Sequence, residues 1–164
     1  MMKTEADMEI SEIIRKAVDE ARRTMGVGQG GPFGAAIIDP EGKIYVSSNT
    51  VLGSKDPTAH AEVNAIRKAC RERGSHDLTG CVLYTTCYPC PMCLGAAIWA
   101  NIKEVYYGAD SLDAAAIGFR DDYIYDYIRG GCRDLSVLKL EQFAENIECK
   151  KLFGEYAEAE KQMY

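Results

Sequence analysis

Between Asp7 and Met25 the apolar residues fall at Met8, Ile10, Ile13, Ile14, Ala17, Val18, Ala21 and Met25. Most are three or four positions apart, so the spacing predicts an amphipathic helix. The next stretch, GVGQGGPFG, carries five glycines and a proline and must end the helix and turn the chain. Two short β-prone runs, AAIIDP and KIYVSSNT, flank Glu41-Gly42 and predict a hairpin. A polar loop, VLGSKDP, leads to a second helix expected to open near Pro57 with Asp56 as its cap and to stop at Gly74.

Cys81 to Thr86, CVLYTT, has the composition of a buried strand. PMCLGAAIWA predicts a short apolar helix opened by Pro91, with Trp99 in the core, and EVYYGA predicts another strand. Strands separated by single helices imply parallel crossovers with helices on both faces of one sheet, which the hairpin makes mixed. Beyond Ser111 the pattern weakens. DDYIYDYI predicts a helix whose Tyr123, Tyr125 and Tyr127 serve packing, SVLKLEQF a strand, and CKKLFGEYAEAEKQMY a terminal helix. With no repeat or linker, residues 1–164 are expected to form one α/β domain.

Charge narrows the partners. Twenty-five acidic against nineteen basic residues give a net charge of −6, which does not attract a phosphate backbone and favours a small or neutral substrate. The one basic run, RKACRER from Arg67 to Arg73, is expected to be the solvated face of a helix. The first residues have neither a basic leader nor an apolar h-region, and no segment approaches about 18 uninterrupted apolar residues. A cytoplasmic protein outside the membrane is expected. Seven cysteines, an odd number, argue for reduced thiols in metal or redox work rather than a disulfide framework.

Three of those cysteines lie in TTCYPCPMC. Cys90-Pro91-Met92-Cys93 alone fits a thiol redox pair or a metal site, and a helix N-terminus stabilises thiolates in either. The second helix start decides between them. His60-Ala61-Glu62, taken with Pro89-Cys90-Pro91-Met92-Cys93, has the H-x-E and P-C-x-x-C pattern of zinc-dependent nucleobase deaminases. Residues two apart in mid-helix point in nearly opposite directions, so His60 and Glu62 can address one ion only from a helix end. Two helix N-termini are therefore expected to converge on one zinc. His60, Cys90 and Cys93 leave the fourth tetrahedral position to water, the arrangement of a catalytic site. Cys87 is the rival fourth ligand, and a closed Cys3His site would make the protein a structural zinc module. With zinc supplying hydroxide near neutral pH, Glu62 is expected to shuttle protons from the water to a ring nitrogen and the departing amine.

Four stretches, GGPFGA (30–35), DPTAHAEVNAIRKAC (56–70), CYPCPMCLGAAIWA (87–100) and DAAAIGFRDDYIY (113–125), resemble the bacterial-type guanine deaminases of the cytidine deaminase superfamily. The resemblance implies a three-layer α/β/α cytidine-deaminase-like fold, one zinc per subunit, and hydrolysis of guanine to xanthine and ammonia. It also implies purine binding by Asn49 and Asp121, with Asp122 a rival carboxylate and Arg120 standing where the family often has an acid. On physical grounds, apart from the resemblance, Phe33 either packs against the purine ring or, beside its glycines, belongs to the core. The resemblance implies further a homodimer in which the C-terminal segment crosses over and Tyr164 closes the partner's pocket. A tRNA adenosine deaminase shares the motifs but needs a basic surface, against which the charge counts. Cytosine and guanosine deaminases remain open, since spacing does not separate them.

Overall fold

The computed structural model of the protein describes residues 5–159. They form two compact units, divided in the chain between Asp121 and Asp122. The first contains α1 (Glu5–Gly26), the hairpin β1 (Gly34–Ile38) and β2 (Ile44–Ser48), α2 (Val51–Ser54), α3 (Ala61–Arg73), β3 (Val82–Cys87), α4 (Pro91–Trp99), β4 (Glu104–Ala109) and α5 (Ser111–Ala116). The strand order is β2-β1-β3-β4. β1 runs antiparallel to β2 and β3, whereas β3 and β4 are parallel, so the sheet is mixed as expected.

Strand alternation divides the core into two layers. Ala35, Ile37 and Leu83 face a cluster with Ala61, Ala65, Ile66 and Ala69 of α3 and Ala97 of α4. Ala36 faces Ile13 and Ala17 of α1, joined by Ile38, Val46 and Tyr84. Helices thus cover both faces of one sheet, giving the three-layer fold. α1 lies close enough that a Cβ on Gly34 would collide with the Ala17 carbonyl, so the backbone approach requires glycine at that position. At the hairpin, Asp39 accepts from the Lys43 amide (2.9 Å), the Tyr45 hydroxyl (2.8 Å) and Arg73 (2.9 Å), tying the end of α3 to the sheet.

The second unit holds α6 (Asp122–Arg129) and α7 (Ile147–Glu158). Tyr127 is buried and donates to the Leu138 carbonyl at 3.1 Å, as its packing role requires; Tyr123, one turn earlier at the start of the helix, is exposed. No strand forms at 136–143. Asp134 bonds the Ser136 amide and hydroxyl in a turn, and the segment pairs with no ladder. Trp99 is not core but 72 % exposed, because α4 turns its apolar flank outward at its last turn. No helix among the described residues is long and apolar enough to cross a membrane.

Candidate active site

The second long helix starts later than its proline suggests. Val51–Ser54 is a helical turn, and Asp56 accepts from the Thr58 amide (2.8 Å) and hydroxyl (2.6 Å) instead of capping α3. The N-cap of α3 is His60, in an extended conformation (φ −68°, ψ 157°). α4 repeats that geometry: its N-cap is Cys90 (φ −67°, ψ 167°), followed by Pro91. Neither side chain makes a cap hydrogen bond, so both are available to a third party.

The two helix starts converge. Nδ1 of His60 lies 3.6 Å from Sγ of Cys90 and 3.6 Å from Sγ of Cys93, and the two sulfurs are 3.5 Å apart. Tetrahedral zinc with Zn–S of about 2.3 Å and Zn–N of about 2.0 Å demands S···S of about 3.8 Å and S···N of about 3.5 Å. The donor triangle therefore fits that ion with adjustments of about 0.3 Å or less. The thiols point the same way. The Cys90 thiol lies well below the ordinary thiol range, first because Cys93 hydrogen-bonds to it and then because His60 does; Cys93 is pushed up by that bond, by burial and by the Glu62 charge. The pair gives up one proton readily and holds the other between two sulfurs. A divalent cation in its place suits both as thiolates.

Cys87 stands apart: buried, it lies 3.5 Å from the Asp110 carbonyl, and it is not among the three residues able to share an ion. Glu62, one position into α3 from its first residue, is only 6 % exposed. Its Oε1 accepts from the Thr85 hydroxyl at 2.9 Å, and its Oε2 lies 3.4 Å from Sγ of Cys93. Burial raises its carboxyl above the ordinary range, against hydrogen bonds from its own amide and Thr85 that lower it. His60 is raised, chiefly by its bond to Cys90, while burial opposes.

Asn49 is 6 % exposed at the end of β2. Its Oδ1 accepts from the amides of Gly31 (3.3 Å) and Val51 (3.2 Å), while its Nδ2 has no hydrogen-bond partner among the described residues. A Cβ on Gly30 would strike both the Asn49 carbonyl and Oδ1, so the glycine-rich turn and Asn49 interlock. Asn64 of α3 bonds the Ser48 carbonyl, the Thr50 hydroxyl and the Ala59 carbonyl, holding the Asn49 loop beside the His60 loop. Phe33 is half-buried, packs against the core and meets Phe119 edge-on at 4.9 Å. Asp121 is half-buried and its charge acts on both His60 and Cys87, whereas Asp122 is exposed at the start of α6. Tyr164 lies outside the described residues. Thr85 and Asn64 escaped the sequence reading, although an inward threonine between Leu83 and Cys87 on an otherwise apolar strand face is visible as a pattern.

Residues 8–109 match the cytidine and deoxycytidylate deaminase zinc-binding region. The chain belongs to that family. Zinc is accordingly its cofactor, with His60, Cys90 and Cys93 the group able to hold the ion. The chain is 51 % identical over 115 residues to a guanine deaminase of Bacillus subtilis, covering 70 % of this chain and 74 % of that one. It superposes on a crystal structure of guanine deaminase from Bacillus subtilis with a TM-score of 0.81 and 40 % identity, over 94 % of this chain and 98 % of the other. A tRNA-specific adenosine deaminase of Aquifex aeolicus is 41 % identical over 96 residues, 58 % of this chain and 63 % of that one.

Proposed function

We propose that the protein is a zinc-dependent guanine deaminase, converting guanine and water to xanthine and ammonia. The observation that carries the reading is a buried carboxylate, Glu62, that lies against the three-donor cluster without belonging to it. Zinc held by His60, Cys90 and Cys93 supplies Lewis acidity that makes water a nucleophile near neutral pH. Glu62 takes one proton from the water and delivers it to N3 of the purine, then takes the second from the hydroxyl left on C2 and passes it to the departing amine. Its raised pKa suits both directions of transfer.

Asn49 gives the substrate its orientation. With Oδ1 occupied by two backbone amides, the group offered to a ligand is its amide N–H, which suits guanine O6 or N7 and opposes the amine that adenine carries at C6. Asp121 complements it by accepting from purine N–H groups, and Phe33 packs on the ring. The resemblance to the Bacillus subtilis guanine deaminase supports the base over other amines. Against a tRNA substrate stand the net charge of −6 and the engagement of the basic run: Arg67 pairs with Asp56, Lys68 donates to the Val46 carbonyl, and Arg73 holds Asp39 and Glu41.

The protein acts as a homodimer in the cytoplasm, with Tyr164 reaching the partner's pocket. Support comes from seven free thiols and from α7, which buries no residue and leaves Phe153 77 % exposed, an apolar surface suited to another copy. Incubation with guanine, guanosine, adenine, cytosine and cytidine, following ammonia, tests the substrate. Guanine should lead by at least about tenfold in kcat/KM, a difference of about 1.4 kcal/mol. Deleting residues 160–164 should slow turnover, and unchanged turnover would remove Tyr164 from the reaction.

A further inference from the structure

Glu62 presents two oxygens to two different surroundings. Oε1 is turned into the protein, 2.9 Å from the Thr85 hydroxyl, while Oε2 faces the Cys93 sulfur and the metal donors at 3.4 Å. Thr85 is only 1 % exposed and sits on β3, a central strand, paired in register with Ala35 on one side and Tyr107 on the other. The hydroxyl has one hydrogen to donate, and the structure gives it one acceptor, the Glu62 carboxylate.

We propose that Thr85 is a positioning residue that ties back Oε1 of Glu62 and so reserves Oε2 as the oxygen that carries the proton. A carboxylate free to rotate about its terminal bond exchanges its two oxygens, and that torsion is broad. A donor fixed to the sheet removes the freedom: with Oε1 bonded, the lone pair of Oε2 stays aimed at the space beside the metal donors. In the forward step Oε2 takes one proton from the attacking water. It gives that proton to the purine ring nitrogen, then takes the second from the hydroxyl that the attack leaves on C2 and gives it to the amine, which departs as ammonia as the C2–N bond breaks, so the carboxylate ends the cycle as it began. Thr85 itself exchanges no proton and touches no reacting atom; its effect is on where Glu62 stands. Threonine suits the place because its methyl group packs in the strand face while its hydroxyl reaches the helix, which serine only partly reproduces and valine not at all.

The inference rests on the deaminase reading of the same site, so its test includes a structural readout. Thr85→Val keeps the shape of the side chain and deletes the donor. In the zinc-loaded protein it should lower kcat for guanine about tenfold or more, the scale of a lost hydrogen bond to a charged group, while KM stays within about twofold. Zinc content should remain at the wild-type level. Thr85→Ser should recover kcat to within about threefold of wild type. A crystal structure of zinc-loaded Thr85→Val should show the Glu62 carboxylate displaced or in more than one orientation. The proposal is overturned if Thr85→Val keeps wild-type kcat, if Thr85→Ser is as impaired as Thr85→Val, or if the carboxylate of the valine variant is unmoved. Should the wild-type protein release ammonia from none of the bases, the deaminase reading fails, and the position of the carboxylate still decides whether Thr85 sets it.

Discussion

The starts of α3 and α4 are built alike and do different work. Each has an extended N-cap residue whose side chain is a metal donor, and each leaves the cap hydrogen bond unmade. α4 follows with proline and a second sulfur two residues later, so everything it offers goes to the ion. α3 follows with alanine and a carboxylate that bonds Thr85 across the sheet face rather than joining the donors. One helix start offers donors alone; the other offers a donor and, in the proposed reaction, the proton carrier. The lesson is that a group beside the metal donors need not be one of them: on the first turn of α3 the donor and the carboxylate are different side chains, His60 and Glu62, two positions apart.

The largest effect should come from breaking the α4 side. Cys93→Ala removes one of three donors, and bound zinc should fall to roughly a tenth per chain or less, with ammonia release undetectable; metal analysis and the guanine assay read both. Glu62→Gln attacks the other half of the division. It should keep zinc at the wild-type level while cutting kcat roughly 10²–10⁴-fold, and zinc loss comparable to that of Cys93→Ala would erase the distinction between the two helix starts. Asn49→Ala lies a step further out. It should raise KM for guanine about tenfold, from the lost hydrogen bonds of a buried amide, with zinc unchanged by metal analysis.

Asp56→Asn should give the smallest change, because Asp56 shapes only the exposed loop leading to His60. Its carboxyl lies below the ordinary 3.8, first through the Thr58 hydroxyl and then through the Thr58 amide and Arg67. A group lowered in the folded protein stabilises it above the unfolded value and ceases to do so as pH falls through the folded one. Near pH 7 the variant should therefore melt slightly lower, by less than about 3 °C, and the gap should close in thermal scans below pH 3.8.

Most of this arrangement is legible in the sequence. Helical spacing locates α1, the β-prone runs around Glu41-Gly42 locate the hairpin, and the paired motifs name the donors. The start of α3 was misplaced because Pro57 and Asp56 satisfy the rules for a helix opening, yet Asp56 is better used by Thr58 in a turn, which delays the helix to Ala61 and lets His60 cap it. Trp99 and the segment at 136–143 misled for another reason: apolar composition reports an affinity for burial, not the presence of a neighbour to supply it. α5 passed unseen although Asp110 and Asp113 form a reciprocal capping box, a signal carried by two aspartates instead of the commoner serine and glutamate. Thr85 could not be told from an ordinary strand threonine, since its importance depends on what α3 places above it.

His60 and Cys90 are 30 positions apart in the chain, and β3, which runs between its neighbours in the middle of the sheet, lies wholly between them. An ion gripped by both closes that segment into a ring and shrinks the freedom of the unfolded chain. The reaction centre is thereby also a clasp around a central strand, so a cell starved of zinc stands to lose mechanical integrity and turnover in the same event.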